Sequence, residues 1–116
     1  MPCLHYDAVI SRLFDSLPRA KDAYDLWDMP GDPLPYIVFG FLEESFFTPA
    51  IVADKDSALL VRIFAFLEEM ASSSDSEVVN LLSVGLLEAW AGDPDTFRKA
   101  FRRMGPQTKK LAYAER

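Results

Sequence analysis

The stretch FLEEMASSSDSEVVNLL, residues 66–82, joins two apolar helical segments through a short run of serines. Ser74 and Glu77 have the spacing of a capping box, in which a serine side chain accepts a hydrogen bond from a backbone N–H three residues on. A polar linker this short predicts that the two flanking helices pack as antiparallel neighbours. The sequence therefore predicts a protein built from helical hairpins.

Apolar residues recur at three- and four-residue steps along most of the chain, and this period predicts about six helices. The expected helices cover approximately residues 4–17, 19–29, 35–46, 54–70, 75–91 and 93–104. TPA, residues 48–50, predicts a separate short turn, and residues 107–116 either form a short basic helix or fray. YIVFGF, residues 36–41, has the composition of a strand but continues at helical spacing. The fold prediction is a single all-α domain over residues 1–116, with stacked antiparallel hairpins forming a bundle or a HEAT-like array.

Two finer expectations concern packing within these helices. Gly40 weakens a helix, so its expected use is to let a neighbouring backbone approach closely. In the helix before Gly105, one face carries the apolar residues and the other the basic ones. The apolar residues Phe97, Ala100, Phe101 and Met104 are expected to face the core, and Arg98, Lys99, Arg102 and Arg103 the solvent.

Charge is distributed unevenly along the chain. Residues 1–93 hold 16 acidic and 5 basic side chains, whereas the basic C-terminal segment 94–116 holds 2 acidic and 7 basic ones. An acidic body repels phosphates, which argues against a nucleic-acid partner. It favours a basic protein partner through electrostatic steering, although solubility alone also explains it. The basic segment is expected to balance the acidic body within one molecule or across a homodimer.

The residues that most often carry chemistry are scarce. His5 is the only histidine and Cys3 the only cysteine, and neither is spaced with a recognisable catalytic partner. Zinc sites require three or four such ligands, so neither metal nor cofactor is expected. An enzymatic alternative requires Glu68 and Glu88 to meet in a cleft between their helices. We therefore expect a protein without catalytic activity.

The candidate binding residues lie in the N-terminal half. Asp22, Asp25 and Asp28 recur at three-residue steps beside Trp27, and Asp32 follows in a proline-rich loop. Their spacing does not match a calcium-binding loop, so they form either a solvated face or a docking surface. Tryptophan is often the residue that dominates binding energy. The predicted contact residues for a partner are Asp22, Asp25, Trp27, Asp28, Asp32, Glu43 and Glu44.

The chain start carries no secretory pattern, and one cysteine suits a reducing compartment. The most apolar runs are shorter than the approximately 20 residues that span a bilayer. These features predict a cytoplasmic protein without a membrane partner, present as a monomer or homodimer.

Residues 34–90 resemble a family of small acidic helical bacterial proteins that are immunity proteins, or their relatives, in polymorphic toxin systems. A Tyr-x-x-Phe-Gly element is followed by a Phe-x-x-x-Glu helix and by an Asp/Glu-x-Val-x-Asn helix that ends in Leu-Glu. The matching positions are Tyr36, Phe39, Gly40, Phe64, Glu68, Asp75 or Glu77, Val79, Asn80, Leu87 and Glu88. The resemblance implies a cognate immunity protein that binds a toxin domain and blocks it in the cytosol. The alternative function is an adaptor or effector chaperone that leaves the toxin active.

Overall fold

The computed structural model describes residues 4–114, and in this part of the chain every regular element is helical. A short 3₁₀ turn, Tyr6–Ala8, precedes seven continuous helices. The helices are α1 Val9–Ser16, α2 Pro18–Trp27, α3 Pro35–Ala53, α4 Ser57–Ala71, α5 residues 76–91, α6 Pro94–Arg103 and α7 Pro106–Ala114. The all-α fold prediction is confirmed, and residues 107–114 of the segment expected to form a helix or fray are helical.

Helix α3 is longer than predicted because the chain continues through TPA as one helix. The backbone N–H of Thr48 bonds to the carbonyl of Glu43, five residues back, which makes Glu43–Phe47 a π-helical segment. A proline inside a helix clashes with the preceding turn and lacks an N–H. The widened turn directly before Pro49 accommodates it, so no new cap forms. A second π segment, Ser83–Leu87, interrupts α5.

Alternate helices in the centre of the domain run parallel. Contacts between α3 and α5 advance in the same direction along both helices, from Tyr36 with Asn80 to Thr48 with Trp90. Helix α4 connects their opposite ends and therefore runs antiparallel to both. Arg12 of α1 contacts Glu69 near the end of α4, and Arg19 at the start of α2 contacts Asp56 directly before α4. Helix α1 therefore runs antiparallel to α4. Helices α3, α4 and α5 therefore form two successive antiparallel hairpins, as the short serine linker predicts for α4 and α5.

The predicted apolar stripe of α4 is the centre of the core. Leu60, Ile63 and Leu67 are almost fully buried, and the largest buried side chains around them are Trp90, Phe39 and Phe47. Phe46 is also buried, while Phe41 is half-buried. Among Phe41, Phe46 and Phe47, only Phe41 therefore reaches the surface.

The close helix approach occurs at Gly85 and not at Gly40, which corrects the sequence-based expectation. A Cβ on Gly85 would lie 3.1 Å from the Cβ of Phe39, whereas one on Gly40 would meet nothing within 4 Å. Gly40 is on the exposed side of α3. The amphipathic pattern of α3 is too weak to show which of its sides faces a neighbour.

The cap of α5 also differs from the predicted capping box. Asp75, not Ser74, accepts the backbone N–H of Glu77, and its second oxygen accepts the N–H of Tyr6. Asp75 therefore caps α5 and also holds the N-terminal 3₁₀ turn against it. Asp93 caps α6 as expected.

Among the described helices, α3 alone is long and apolar enough to cross a bilayer by length and composition. Val38, Phe39, Leu42, Phe46, Phe47 and Ile51 from this helix are buried in the protein core.

Candidate binding surface

An aromatic chain joins α1, α2 and α3 and ends at the surface. The Trp27 ring lies parallel to the Phe41 ring, with centroids 4.1 Å apart. The Tyr24 ring meets Trp27 edge-on at 6.1 Å and contacts Phe14 at 5.6 Å. Offset-stacked and edge-to-face ring pairs add to the energy of burial. Trp27 is therefore held in place while 37% of it remains exposed.

Other apolar side chains are exposed in the same part of the sequence. Leu34, Ile37 and Phe41 follow each other at helical spacing, so they share the side of α3 on which Trp27 stacks. Leu26, at the end of α2, is 87% exposed. We name the exposed apolar set the α2–α3 surface, and it consists of Leu26, Trp27, Met29, Leu34 and Ile37.

The predicted aspartate ladder is divided between a helix and a loop. Asp22 and Asp25 are exposed on α2, but Asp28 ends that helix in the left-handed conformation, with φ 53°. Asp32 lies in the following loop and is exposed. Asp25 forms an exposed pair with Lys21 at 2.7 Å, and this contact raises the lysine pKa. Within residues 4–114, no ion pair engages Asp22, Asp28 or Asp32.

The two predicted glutamates of α3 have different surroundings. Glu44 is exposed, whereas Glu43 is half-buried and accepts the hydroxyl hydrogen bond of Thr48 at 2.7 Å. The Thr48 oxygen in turn accepts the indole N–H of Trp90 at 2.9 Å. Glu43 therefore accepts a hydrogen bond within a part-buried polar network, and its contact with a partner stays a prediction.

Glu68 and Glu88, the carboxylates of the enzymatic alternative, have different surroundings. Glu68 accepts the backbone N–H groups of Gln107 and Thr108, and also the Thr108 hydroxyl at 2.8 Å. Burial raises the Glu68 pKa, but these three hydrogen bonds outweigh it and the pKa is lowered overall. Glu88 is exposed on α5. Glu68 thus caps α7, which is the structural alternative to a catalytic role.

The remaining candidate groups do not form a site. The His5 side chain is 71% exposed, and its Nδ1 lies 4.0 Å from Asp75. Cys3 lies outside the described residues. Among residues 4–114, no group of three or more His, Cys, Asp and Glu side chains is placed to hold a metal ion.

The basic residues of α6 point in two directions. Lys99 donates to the carbonyl of Val52 at 2.8 Å, and Arg103 pairs with Asp54 at 2.8 Å. These contacts place positive charge at the C-terminal end of α3, where the helix dipole is negative. Part of the basic segment therefore balances the acidic body within the molecule, as the sequence suggested.

The other side of α6 forms a groove that the sequence analysis missed. Phe97 and Phe101, expected in the core, are only half-buried and line this groove together with Arg98 and Arg102. The sequence FRKAFRR, residues 97–103, could have indicated this groove, because a phenylalanine followed by an arginine recurs after four residues. That repeat places a mixed apolar and cationic strip on one helix side.

Comparisons with known proteins place the chain in a family. No curated protein and no solved structure matched it. The profile of DUF7674, described as a domain of unknown function, matches residues 10–116. This range includes the α2–α3 surface and the α6 groove. Because the match covers nearly the whole chain, the protein belongs to the DUF7674 family.

Proposed function

We propose that this protein is a non-catalytic binding protein of the immunity type, which neutralises a toxin domain by covering its active site. The observation that carries the proposal is Trp27, exposed yet fixed on Phe41 within the α2–α3 surface. Around it in sequence lie Asp22, Asp28 and Asp32, which have no ion-pair partner among the described residues. A fixed aromatic anchor combined with unpaired carboxylates suits a basic protein partner.

The stacking arrangement reduces the cost of binding. Ordering a flexible side chain at an interface costs about 0.5–1.5 kcal/mol. Trp27 is already restrained by Phe41 and Tyr24, so a partner meets it in a defined position. Its exposed apolar neighbours Leu34 and Ile37 would be covered in the same contact. The surface is therefore organised for docking before the partner arrives.

The acidic composition supports a particular class of toxin. An enzyme that acts on nucleic acids or nucleotides needs a basic active site to hold phosphates. Carboxylates on the immunity protein would occupy the positions of those phosphates. The family resemblance of residues 34–90 supports the toxin system itself. Its motif residues Tyr36 and Asn80 hydrogen-bond to each other at 2.6 Å, so they have a structural use and leave the contact surface elsewhere.

Co-expression is the direct test of the function. We would express the tagged protein beside the product of the adjacent reading frame, and measure both complex formation and bacterial growth. We expect a stable complex and restored growth. A complex that leaves growth inhibited would favour the adaptor function instead. Failure to form any complex would contradict the immunity proposal for that gene pair.

Matched variants test the surface separately. The first variant carries Asp22→Asn, Asp25→Asn, Asp28→Asn and Asp32→Asn, and the second carries Trp27→Ala. A control removes the same number of exposed acidic charges through Asp7→Asn, Asp15→Asn, Glu77→Gln and Glu88→Gln. We expect the first two variants to lose growth rescue and the control to retain it. Equal rescue by all three would reject the α2–α3 surface as the contact site.

A further inference from the structure

The groove beside α6 has the chemistry of a binding site for an acidic, partly apolar segment. It has a volume of about 730 Å³ and is lined by Ala91, Pro94, Phe97, Phe101, Arg98 and Arg102. The two phenyl rings lie nearly parallel, with centroids 5.5 Å apart, and provide its apolar surface. The guanidinium groups of the two arginines add positive charge. The groove therefore combines an apolar lining with cationic donors.

The two arginines retain the capacity to bind a new carboxylate. Arg98 is 71% exposed, and its one ion pair within residues 4–114 is with Asp95, three residues before it on the same helix. Arg102 lies 3.6 Å from Asp54, whose shorter contact of 2.8 Å is with Arg103. Exposed pairs of this kind contribute little energy and exchange readily. Since a guanidinium carries five N–H donors, both side chains can still donate hydrogen bonds to an incoming carboxylate.

Helix α2 of the same chain has the complementary chemistry. Leu26 is 87% exposed, which makes it the most exposed of the large apolar side chains in residues 4–114. Asp22 is one helical turn before Leu26 and on the same side of α2. Asp28 ends the helix and is also exposed. An apolar side chain flanked by carboxylates is thus available to enter an apolar groove flanked by arginines.

We propose that α2 of one copy docks into the α6 groove of a second copy, in a head-to-tail contact. Helix α2 packs on α1 and α3, whereas α6 packs on α3, α4 and α5. The two sites therefore occupy different elements, and the arginines of the groove are complementary to the carboxylates of Asp22 and Asp28 near Leu26. A contact between two different sites is heterologous, so it can extend beyond a dimer unless the copies close into a ring.

The head-to-tail contact does not depend on the proposed function, but it would affect binding of a partner. Docking of α2 in a second copy covers Leu26 and the neighbouring carboxylates of the α2–α3 surface. A partner that uses the same surface would therefore compete with self-association. A basic partner that binds this surface would therefore dissociate the self-associated protein into single chains.

Sedimentation velocity of the purified chain tests the proposal. We expect the weight-average mass to rise with protein concentration at 0.05 M salt and to fall toward that of one chain at 1 M salt. The reason is that the screening length shortens to about 3 Å at 1 M. A wild-type protein that remains a single chain across the concentration series would overturn the proposal.

Two complementary variants assign the contact. The groove variant carries Arg98→Glu and Arg102→Glu, and the α2 variant carries Asp22→Asn, Leu26→Ser and Asp28→Asn. Each variant alone should sediment as a single chain. Their equimolar mixture retains one intact groove and one intact α2, so it should form a complex of one copy of each and no larger species. Association of either variant alone, or no complex in the mixture, would contradict the docking geometry.

A charge-matched control separates a specific contact from a general charge effect. Lys55 and Arg62 are exposed and lie outside the groove. A Lys55→Glu and Arg62→Glu variant should associate like the wild type, and circular dichroism should show that all variants are folded. Loss of association in this control would overturn the assignment to the groove. Because only this chain is present, failure here is distinct from failure to bind a toxin.

Discussion

Gly40 and Gly85 lie on neighbouring parallel helices, and only Gly85 is needed for their packing. We expect Gly40→Ala to stabilise the protein by about 0.5–1 kcal/mol, because alanine is the better helix former and its Cβ meets open space. Gly85→Ala gains the same helix preference, but its Cβ is pressed against the buried Phe39 at 3.1 Å. We therefore expect no gain there. Urea unfolding of both variants measures the difference, and an equal gain in both would contradict this packing.

Thr48 is a second residue whose role is set by hydrogen bonds to other side chains. Its hydroxyl links the buried Trp90 indole to Glu43. Thr48→Val should destabilise the protein by about 1–3 kcal/mol, because a buried N–H is left without an acceptor. Thr48→Ser keeps the hydroxyl and serves as the control in the same urea unfolding measurement. Equal stability of the valine variant and the wild type would show that the network contributes nothing.

The predictions for individual residues were wrong where two residues fitted the same sequence pattern. Ser74 and Asp75 are adjacent capping residues, and the hydrogen bond from Tyr6 helps to explain the use of Asp75. Tyr6 lies 69 residues away, so local spacing could not show it. The same applies to Gly85, whose partner Phe39 belongs to another helix. Contacts between residues far apart in the sequence therefore determine which residue caps the helix and which glycine lies at the close approach.

At the scale of elements, carboxylate side chains cap the first turns of several helices. Glu68 caps α7 from α4, and its pKa is lowered because three hydrogen bonds outweigh the effect of burial. A lowered folded-state pKa means that the cap stabilises the fold above the unfolded value of about 4.3. That contribution is lost as pH falls through the lower folded value. Acid should therefore loosen the attachment of α7.

The Glu68→Gln variant tests this pH dependence. We expect its urea midpoint to be below that of the wild type at pH 7, and the difference to shrink as pH falls from about 5 to 3. Glu88→Gln, at an exposed position on α5, should keep the wild-type profile. A constant difference between Glu68→Gln and the wild type at every pH would show that ionisation of the cap is unimportant.

Helix existence was predictable because the apolar period is strong, but helix boundaries were less so. The stripe of α4 and the apolar sides of α5 are buried as the period predicts. The merging of two segments into α3 was not predictable, because proline at position 49 normally marks a helix start. The π segment that accommodates it depends on local hydrogen bonding. The half-exposed Phe97 and Phe101 were missed because helical spacing alone does not show how deeply a helix is buried.

At the scale of the whole molecule, charge and exposed apolar groups are separated into two sites. The α2–α3 surface is apolar with an aromatic anchor and has exposed aspartates near it in sequence, and the α6 groove is basic with a phenylalanine lining. The four aspartates and Trp27 of the predicted contact set are exposed, whereas Glu43 is half-buried, and their contact with a partner stays a prediction. The groove became visible only when the packing of α6 was known. The family assignment describes the domain, whereas its binding activity remains our proposal.

The most direct measurement is the association rate of the protein with its co-purified partner as a function of salt. We would compare the wild type, the variant with four aspartates replaced, and the control with four other acidic residues replaced. The proposal predicts that the wild type and the control associate quickly and slow steeply with salt, because opposite charges steer the encounter. The aspartate variant should associate slowly with a weak salt dependence. Identical rates and salt dependence for all three proteins would contradict the claim that this surface binds the partner.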